Sequence, residues 1–311
     1  MFVDFSKEKV RRSRLIMPVN NEKFLEKAFL RNADAIVLDL EDSVPESQKK
    51  IARSFLKGAI PLVIKGGSEV LIRINNTSTL LIDDLKASVL PGVDGVYVPK
   101  VESAKQIEEI DKIISHLETE KSIKKGEVKI GILIETVKGL SNIKEIVQAS
   151  ERIDSLTLGL EDFSVDSGIA ISEETYAAML GPKMKIVLSA RAFGKIPMGL
   201  MGSLTGFNDL ENFKKNAELA YQHGFLGASC IHPINVEILN QCFSPSTEEI
   251  DYSKKVVALI DESRRIGKGA TVLDGKMIDT AHYEKAKQIL YRQSKIEEFE
   301  LKKKKAREAS E

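Results

Sequence analysis

The 311-residue sequence has no tryptophan, two cysteines and no surplus of charge, since Lys and Arg total 46 and so do Asp and Glu. Each shortage excludes something. Without Trp, a site that stacks sugars or cages a quaternary ammonium is disfavoured. Cys230 and Cys242 make no disulfide framework, and their spacing is not that of a zinc site. A reducing, cytoplasmic setting is expected, and any metal has to be held by carboxylates. The balanced charge argues against nucleic acid as a partner. No apolar run approaches the roughly 18 residues that cross a bilayer. The opening residues are polar and lack the apolar stretch of a secretory signal, so no membrane association is expected.

What the sequence does have is repetition. Short runs rich in Val, Ile and Leu lie at 15–17, 35–38, 70–74, 95–98, 128–134, 155–159, 199–202 and 227–231. Stretches of helical periodicity fall between them, among them 21–30, 103–117 and 209–223, the last with Asn208 or Asp209 as its cap and Gly224 as its stop. The runs recur about every 30 residues, the size of one strand–helix unit of a closed barrel. Runs this apolar suit strands buried on both faces. The pattern predicts an α/β fold, a (β/α)8 TIM barrel over residues 1–243, with a doubly wound open sheet as the alternative. From 244 to 300 the pattern turns helical: a Ser-Pro-Ser-Thr-Glu-Glu start at 244–249, a helix to about 266, a Gly267-Lys268-Gly269-Ala270 loop and a last helix from about 280. This reads as a C-terminal helical extension. Residues 301–311 form a Lys-rich tail, read as a frayed and solvated helix end.

In such a barrel the site lies where the strands end. The ionisable residues that stop the apolar runs are Asp39, Glu41 and Asp42, then Arg73, then Lys100 and Glu102, then Glu135, then Glu161 and Asp162. Glu135 and Asp162 are one repeat apart. They could share a hard cation such as Mg²⁺ or Mn²⁺, or each could simply start a helix. Arg73, inside Val-Leu-Ile-Arg-Ile-Asn, needs an anionic partner if buried. That partner is either Asp39 or Glu41 on the next strand end, or a substrate carboxylate. Cys230 reads as a buried strand residue. No histidine stands in the context of a nucleophile triad, although His232 falls at the eighth strand end, and there is no glycine-rich phosphate loop.

Several separated strings occur in a fixed order: Arg-Ser-x-Leu at 12–15, Val-Leu-Asp-Leu-Glu-Asp-Ser-Val at 37–44, Ile-Arg-Ile-Asn at 72–75, Val-Pro-Lys-Val-Glu-Ser at 98–103, Ile-Glu-Thr at 134–136, Gly-Leu-Glu-Asp-Phe at 159–163, Cys-Ile-His-Pro at 230–233, Phe-Ser-Pro-Ser at 243–246 and Asp-Gly-Lys-Met-Ile-Asp at 274–279. In this order the chain resembles the citrate lyase beta-subunit-like proteins. These include malyl-CoA and citramalyl-CoA lyases and belong to the Mg²⁺-dependent aldolase superfamily. The resemblance implies Glu135 and Asp162 as ligands of Mg²⁺ and Arg73 as the holder of a substrate carboxylate. It implies that Asp39, Glu41 and Asp42 shape the surroundings of the metal and its waters, and that Lys100 and Glu102 support them. Arg12, with the loop after Pro18, is expected at the site mouth. Asp279 is expected as the catalytic acid or base, on a segment that reaches over a neighbouring subunit, which implies a homotrimer or hexamer. The implied activity is carbon–carbon cleavage of a short hydroxy-dicarboxylate thioester such as malyl-, citramalyl- or citryl-CoA. The alternatives are an aldolase acting on free hydroxy-keto acids and a beta subunit that depends on an acyl-carrier partner. The chain departs from the family pattern at Pro18-Val19-Asn20, where many members have Gly second, and at 201–209, where several have a Tyr-x-Asp-type segment. Both departures bear on the acyl carrier and on the acid recognised.

Overall fold

Apolar residues, many of them β-branched, make up most of the strands. β2 (Ala35–Asp39) and β3 (Glu69–Arg73) are buried at every residue, as is β4 (Gly95–Val98). β1 (Ser13–Pro18), β5 (Lys129–Ile134), β6 (Ile153–Leu158), β7 (Ile196–Met198) and β8 (Ala228–Cys230) complete an eight-stranded sheet in the order β7-β6-β5-β4-β3-β2-β1-β8, with every pairing parallel. The computed structural model describes residues 9–172, 174–203, 206–267 and 269–310. The edges meet through a parallel bridge from Met198 to Gly227. Beside it Leu226 N–H donates to the Pro197 carbonyl at 3.0 Å, and Gly199 N–H to the Gly227 carbonyl at 2.9 Å. The sheet is thus a (β/α)8 barrel and not an open, doubly wound one. Gly227 is required there, because a Cβ would fall 1.9 Å from the Arg11 carbonyl oxygen.

Ala35, Val37, Leu71, Tyr97 and Leu133 pack together with Ile16 as a small apolar cluster of strand residues. A much larger apolar layer joins the outer strand faces to the helices, with Ile36, Leu38, Ile72 and Val96 meeting Leu56, Ile107, Ile110 and Leu239. The helix Ala104–Glu120 starts at Ser103 with a full capping box, and Leu210–Gln222 starts at Asp209, whose side chain accepts from Asn212 N–H.

Four local expectations need correction. The seventh strand lies at 196–198, not at 199–202. Pro197 reads as a strand breaker, yet it is tolerated next to the closing edge, where only its carbonyl is used. The stretch 21–30 is not one helix but a single turn, Glu22–Leu25, and a 3₁₀ turn, Ala28–Leu30. A hairpin, β9 (Thr271–Leu273) and β10 (Lys276–Ile278), precedes the last helix. Its Asp274-Gly275 turn has φ of 49° and 76°, the left-handed pair of a tight hairpin. The Lys268 of the expected 267–270 loop lies outside the described residues.

The fourth correction concerns the Lys-rich tail. The last helix runs Thr280–Glu308, and Lys303 is fully buried. Lys303 Nζ donates to Asp34 Oδ1 at 2.8 Å and to the Asn32 carbonyl at 3.0 Å, while Arg307 reaches Asn32 Oδ1 at 2.7 Å. The described residues divide into two compact units, one comprising Arg11–Phe243 with 303–310, the other Ser244–Lys302 with Lys9 and Val10. The second has its own apolar cluster of Val256, Ile260, Ile278 and Ala286.

Asp34 is bound by both Arg12 and Lys303, and removing one cation leaves a buried carboxylate partly uncompensated. Lys303→Met is expected to destabilise the barrel unit by about 3 kcal/mol, read as a fall in the denaturant midpoint. An unchanged midpoint would mean the tail adds nothing to the barrel.

Candidate active site

The register of the sheet sets the site. Asp39 and Arg73 are direct partners in the β2–β3 pairing, each the last residue of its strand. Arg73 Nε and Nη2 each donate at 2.7 Å to the two Asp39 carboxylate oxygens. Its remaining nitrogen, Nη1, lies 3.1 Å from both Glu41 Oε2 and Asp42 Oδ2. Asp39 also accepts from the backbone N–H groups of Glu41 and Ser43 at 3.0 Å. Burial by itself would favour neutral forms of both partners. The fork between them wins, so Asp39 is held below and Arg73 above its ordinary pKa. Of the two partners that sequence reasoning left open for Arg73, the structure shows the ion pair.

A chain of contacts leads from Arg73 to the other carboxylates. Glu41 Oε1 accepts from Lys100 Nζ at 3.1 Å, and Lys100 N–H donates to Glu135 Oε2 at 2.8 Å. Lys100 adopts φ 53°, an uncommon left-handed conformation for a side-chain-bearing residue, in the turn that aims this N–H at Glu135. Glu135 directly follows β5 and is 4% exposed. Asp162 sits in the first turn of the helix Leu160–Ser167, after β6, and is exposed. Between them lies Gly159, where a Cβ would come 2.5 Å from Glu135 Cγ. Burial first, then the charges of Asp162 and Glu41, push the Glu135 carboxyl up to about 8. Glu41 is likewise raised, by burial and the nearby Asp42.

Asp42, Arg73, Glu135, Gly159, Asp162 and Lys183 line, among others, a cavity of about 510 Å³ inside the barrel mouth. Asp39, Glu41, Asp42, Arg73, Lys100, Glu135 and Asp162 are thus brought together around one opening. Arg12 is not. It precedes β1, at the opposite end of the strand from Pro18, where it is held by Asp34 through Nε at 2.8 Å and Nη2 at 2.9 Å. Six strand residues, roughly 20 Å of chain, separate it from the mouth. Glu102 pairs at 2.8 Å with Lys138 outside this group. Asp279 belongs to the Ser244–Lys302 unit, where its Oδ1 is 2.8 Å from His282 Nδ1. That bond holds the Asp279 carboxyl below its ordinary range.

Sequence reasoning missed Lys183, Arg14 and Tyr97. Lys183 lies in the helix Tyr176–Ala192, is 4% exposed, and donates to the Leu200 carbonyl at 2.5 Å. Burial lowers its ammonium to about 8, against the pull of Glu161. No sequence pattern marks it, because its helix has no clear amphipathic face. Arg14 could have been found, since it alternates with Ile16 along β1.

Among the described residues no three His, Cys, Asp or Glu side chains converge into a ready-made metal cage. Mg²⁺ does not need one, because it keeps several waters and takes one or two carboxylates. The Glu135–Asp162 pair suits that habit: two carboxylates of like charge, one buried against glycine, whose mutual repulsion a divalent cation would relieve.

The model of the HpcH/HpaI aldolase/citrate lyase family matches residues 12–233. The chain is 32% identical over 287 residues to the citrate lyase subunit beta of Leuconostoc mesenteroides subsp. cremoris, covering 91% of this chain and 93% of that protein. It is 32% identical over 289 residues to the (3S)-malyl-CoA thioesterase of Cereibacter sphaeroides, covering 93% and 96%. Among solved structures it is similar to the protein CitE from Mycobacterium tuberculosis in complex with magnesium, acetoacetate and coenzyme A. There the TM-score is 0.72 and the identity 25%, with 93% of this chain and 99% of that one covered.

The raised Glu135 pKa has a stability consequence. The unfolded chain sheds this proton near its ordinary value of 4.5, whereas the folded metal-free chain keeps it to about 8. Stability from this group is therefore present at low pH and falls as pH rises from about 4.5 toward 8. Glu135→Gln is expected to raise the melting temperature of metal-free protein at pH 8 and to leave it nearly unchanged at pH 4.5. A variant that melts lower than wild type at pH 8 would contradict the assignment.

Proposed function

The chain belongs to the HpcH/HpaI aldolase/citrate lyase family and is a lyase of the aldolase type, and we propose that it cleaves a short hydroxy-dicarboxylate acyl thioester. The substrate is of the malyl-, citramalyl- or citryl-CoA kind, and the products are an acetyl or propionyl thioester and a 2-oxo acid. The observation that carries this reading is the buried Glu135 carboxyl beside Asp162 and Gly159, on a cavity whose rim also holds Arg73. The malyl-CoA thioesterase among the relatives and the coenzyme A in the CitE complex support a thioester substrate.

In this reading Glu135 and Asp162 hold Mg²⁺. When bound, the ion supplies positive charge at the substrate oxygen that turns from hydroxyl to carbonyl. Lys100 fixes Glu135 through its backbone N–H and balances Glu41 with its ammonium. Arg73 orients the substrate through a carboxylate. Its Nε and Nη2 are committed to Asp39, but Nη1 is shared with Asp42, whose side chain is 58% exposed. A substrate carboxylate can take the place of Asp42 at Nη1 while the Asp39 fork keeps the guanidinium in position. Asp279, held by His282, is the group that exchanges a proton with the α-carbon of the thioester: as the carboxylate it removes the proton in the direction of condensation, and in cleavage it takes up the proton that the substrate hydroxyl loses and passes it to the α-carbon. Its place in the string at 274–279 supports that role and a homotrimer or hexamer in which a neighbouring chain delivers it.

The test is cleavage of malyl-CoA, citramalyl-CoA and citryl-CoA with Mg²⁺ and with chelator, following release of the oxo acid. Turnover of one member, abolished by chelator and lowered about a hundredfold or more in Glu135→Gln and Asp162→Asn, is expected. Turnover insensitive to chelator would overturn the metal assignment. Cleavage of free hydroxy-keto acids alone, or only after an acyl-carrier protein is added, would overturn the CoA thioester.

A further inference from the structure

β1 places a second cation in the barrel that the chemistry above does not use. Arg14 is fully buried. Its Nη2 donates at 2.9 Å to Tyr97 Oη of β4 and to Thr157 Oγ1 of β6, and its Nε at 2.9 Å to Ser229 Oγ of β8. The guanidinium carbon lies 4.0 Å from the centre of the Tyr97 ring. Partners from three strands around the barrel put this group in the interior. Among the described residues no carboxylate bonds to Arg14, and its Nη1 has no hydrogen-bond partner. A buried guanidinium without an acid is costly to keep. Arg11, two residues before β1, shows the ordinary solution, with Glu69 at 2.7 Å and Asp154 at 2.9 Å.

The partners of Arg14 explain what its charge is for. Tyr97, Thr157 and Ser229 all line the cavity described above, whereas Arg14 lies behind them. A hydroxyl that accepts a guanidinium N–H still has its own hydrogen to donate. Arg14 therefore occupies an acceptor side of hydroxyls on three strands, with a positive charge at their backs; Tyr97 and Thr157 also bond to each other, so one of their two hydrogens, together with that of Ser229, is left for the cavity. That is a receptor for an anion, and the planar, multiply accepting anion it suits is a carboxylate. Arg73 cannot serve a second carboxylate, because Asp39, Glu41 and Asp42 surround it.

We propose that Tyr97, Thr157 and Ser229, positioned by Arg14, form a carboxylate subsite within the cavity, and that the 2-oxo acid half of the substrate is accordingly a dicarboxylate. This rests on the lyase reading above and narrows it to substrates of the citryl type, in preference to those that release a monocarboxylic oxo acid. Arg14 acts here as a positioning residue, and the three hydroxyls touch the ligand.

The experiment is calorimetric binding of oxaloacetate and of pyruvate to the full chain with Mg²⁺, for wild type, Tyr97→Phe and Ser229→Ala. Both variants remove a hydroxyl and keep the Arg14 side chain, and Tyr97→Phe keeps the ring beneath it. Wild type is expected to bind oxaloacetate at least about tenfold more tightly than pyruvate. Each variant is expected to lose about five- to tenfold for oxaloacetate and to bind pyruvate as wild type does. A purely structural role for the Arg14 cluster would lower both affinities alike or neither. Either of those results, or equal affinity of wild type for the two acids, overturns the subsite. If wild type binds neither acid, the oxo-acid reading itself is overturned and the subsite with it.

Discussion

The fork between Arg73 and Asp39 is the constraint on which the rest of the site depends. The two residues are register partners at the ends of β2 and β3, so the parallel pairing that builds the barrel also joins the two charges. A shift of one residue in that pairing would separate them and turn one of the two to the other face. Removing either partner would strand a charge in a place from which water is nearly excluded. The fork leaves one nitrogen of Arg73 toward the cavity, and this nitrogen gathers Glu41 and Asp42. Glu41 then draws Lys100, and Lys100 holds Glu135. Four strand ends are thereby linked through charge, from β2 to β5.

The result is an opening where acids outnumber bases. Asp39, Glu41, Asp42, Glu135 and Asp162 stand against Arg73 and Lys100. Where such an excess is buried, a carboxyl answers by keeping its proton, as Glu135 does. The alternative is a cation. The proposed Mg²⁺ and the raised Glu135 pKa are two responses to the same electrostatic fact. Deeper in the barrel the imbalance is reversed, because among the described residues Arg14 bonds to hydroxyls and to no carboxylate. A substrate carrying negative charge at one end and a metal-binding oxygen at the other meets complementary fields in one cavity.

Much of this was legible in the sequence because the barrel rule ties function to strand ends. Asp39, Arg73, Glu135 and Asp162 could be named from where apolar runs stop, before any geometry was known. The rule fails at the other end of a strand: the resemblance groups Arg12 with the loop after Pro18, but chain direction carries it to the opposite rim and to Asp34. Interior positions were also hard to read. Arg14 and Tyr97 look like ordinary interruptions and fillers of apolar strands, and only closure of the barrel brings them to Thr157 and Ser229. Lys303, in a run of lysines, is distinguished from its neighbours only by the helical phase that turns it onto Asp34. An apolar run between glycines points to β7 at 199–202, whereas the strand is Ile196–Met198, with Pro197 next to the closing edge.

The central claim is that Glu135 exchanges a proton for a metal ion. Calorimetric titration of Mg²⁺ in buffers of different ionisation enthalpy measures this exchange directly. The account predicts release of close to one proton per Mg²⁺ near pH 7, vanishing as pH passes the Glu135 value of about 8, and no such release in Glu135→Gln. Binding of Mg²⁺ with no proton released at pH 7 would contradict it.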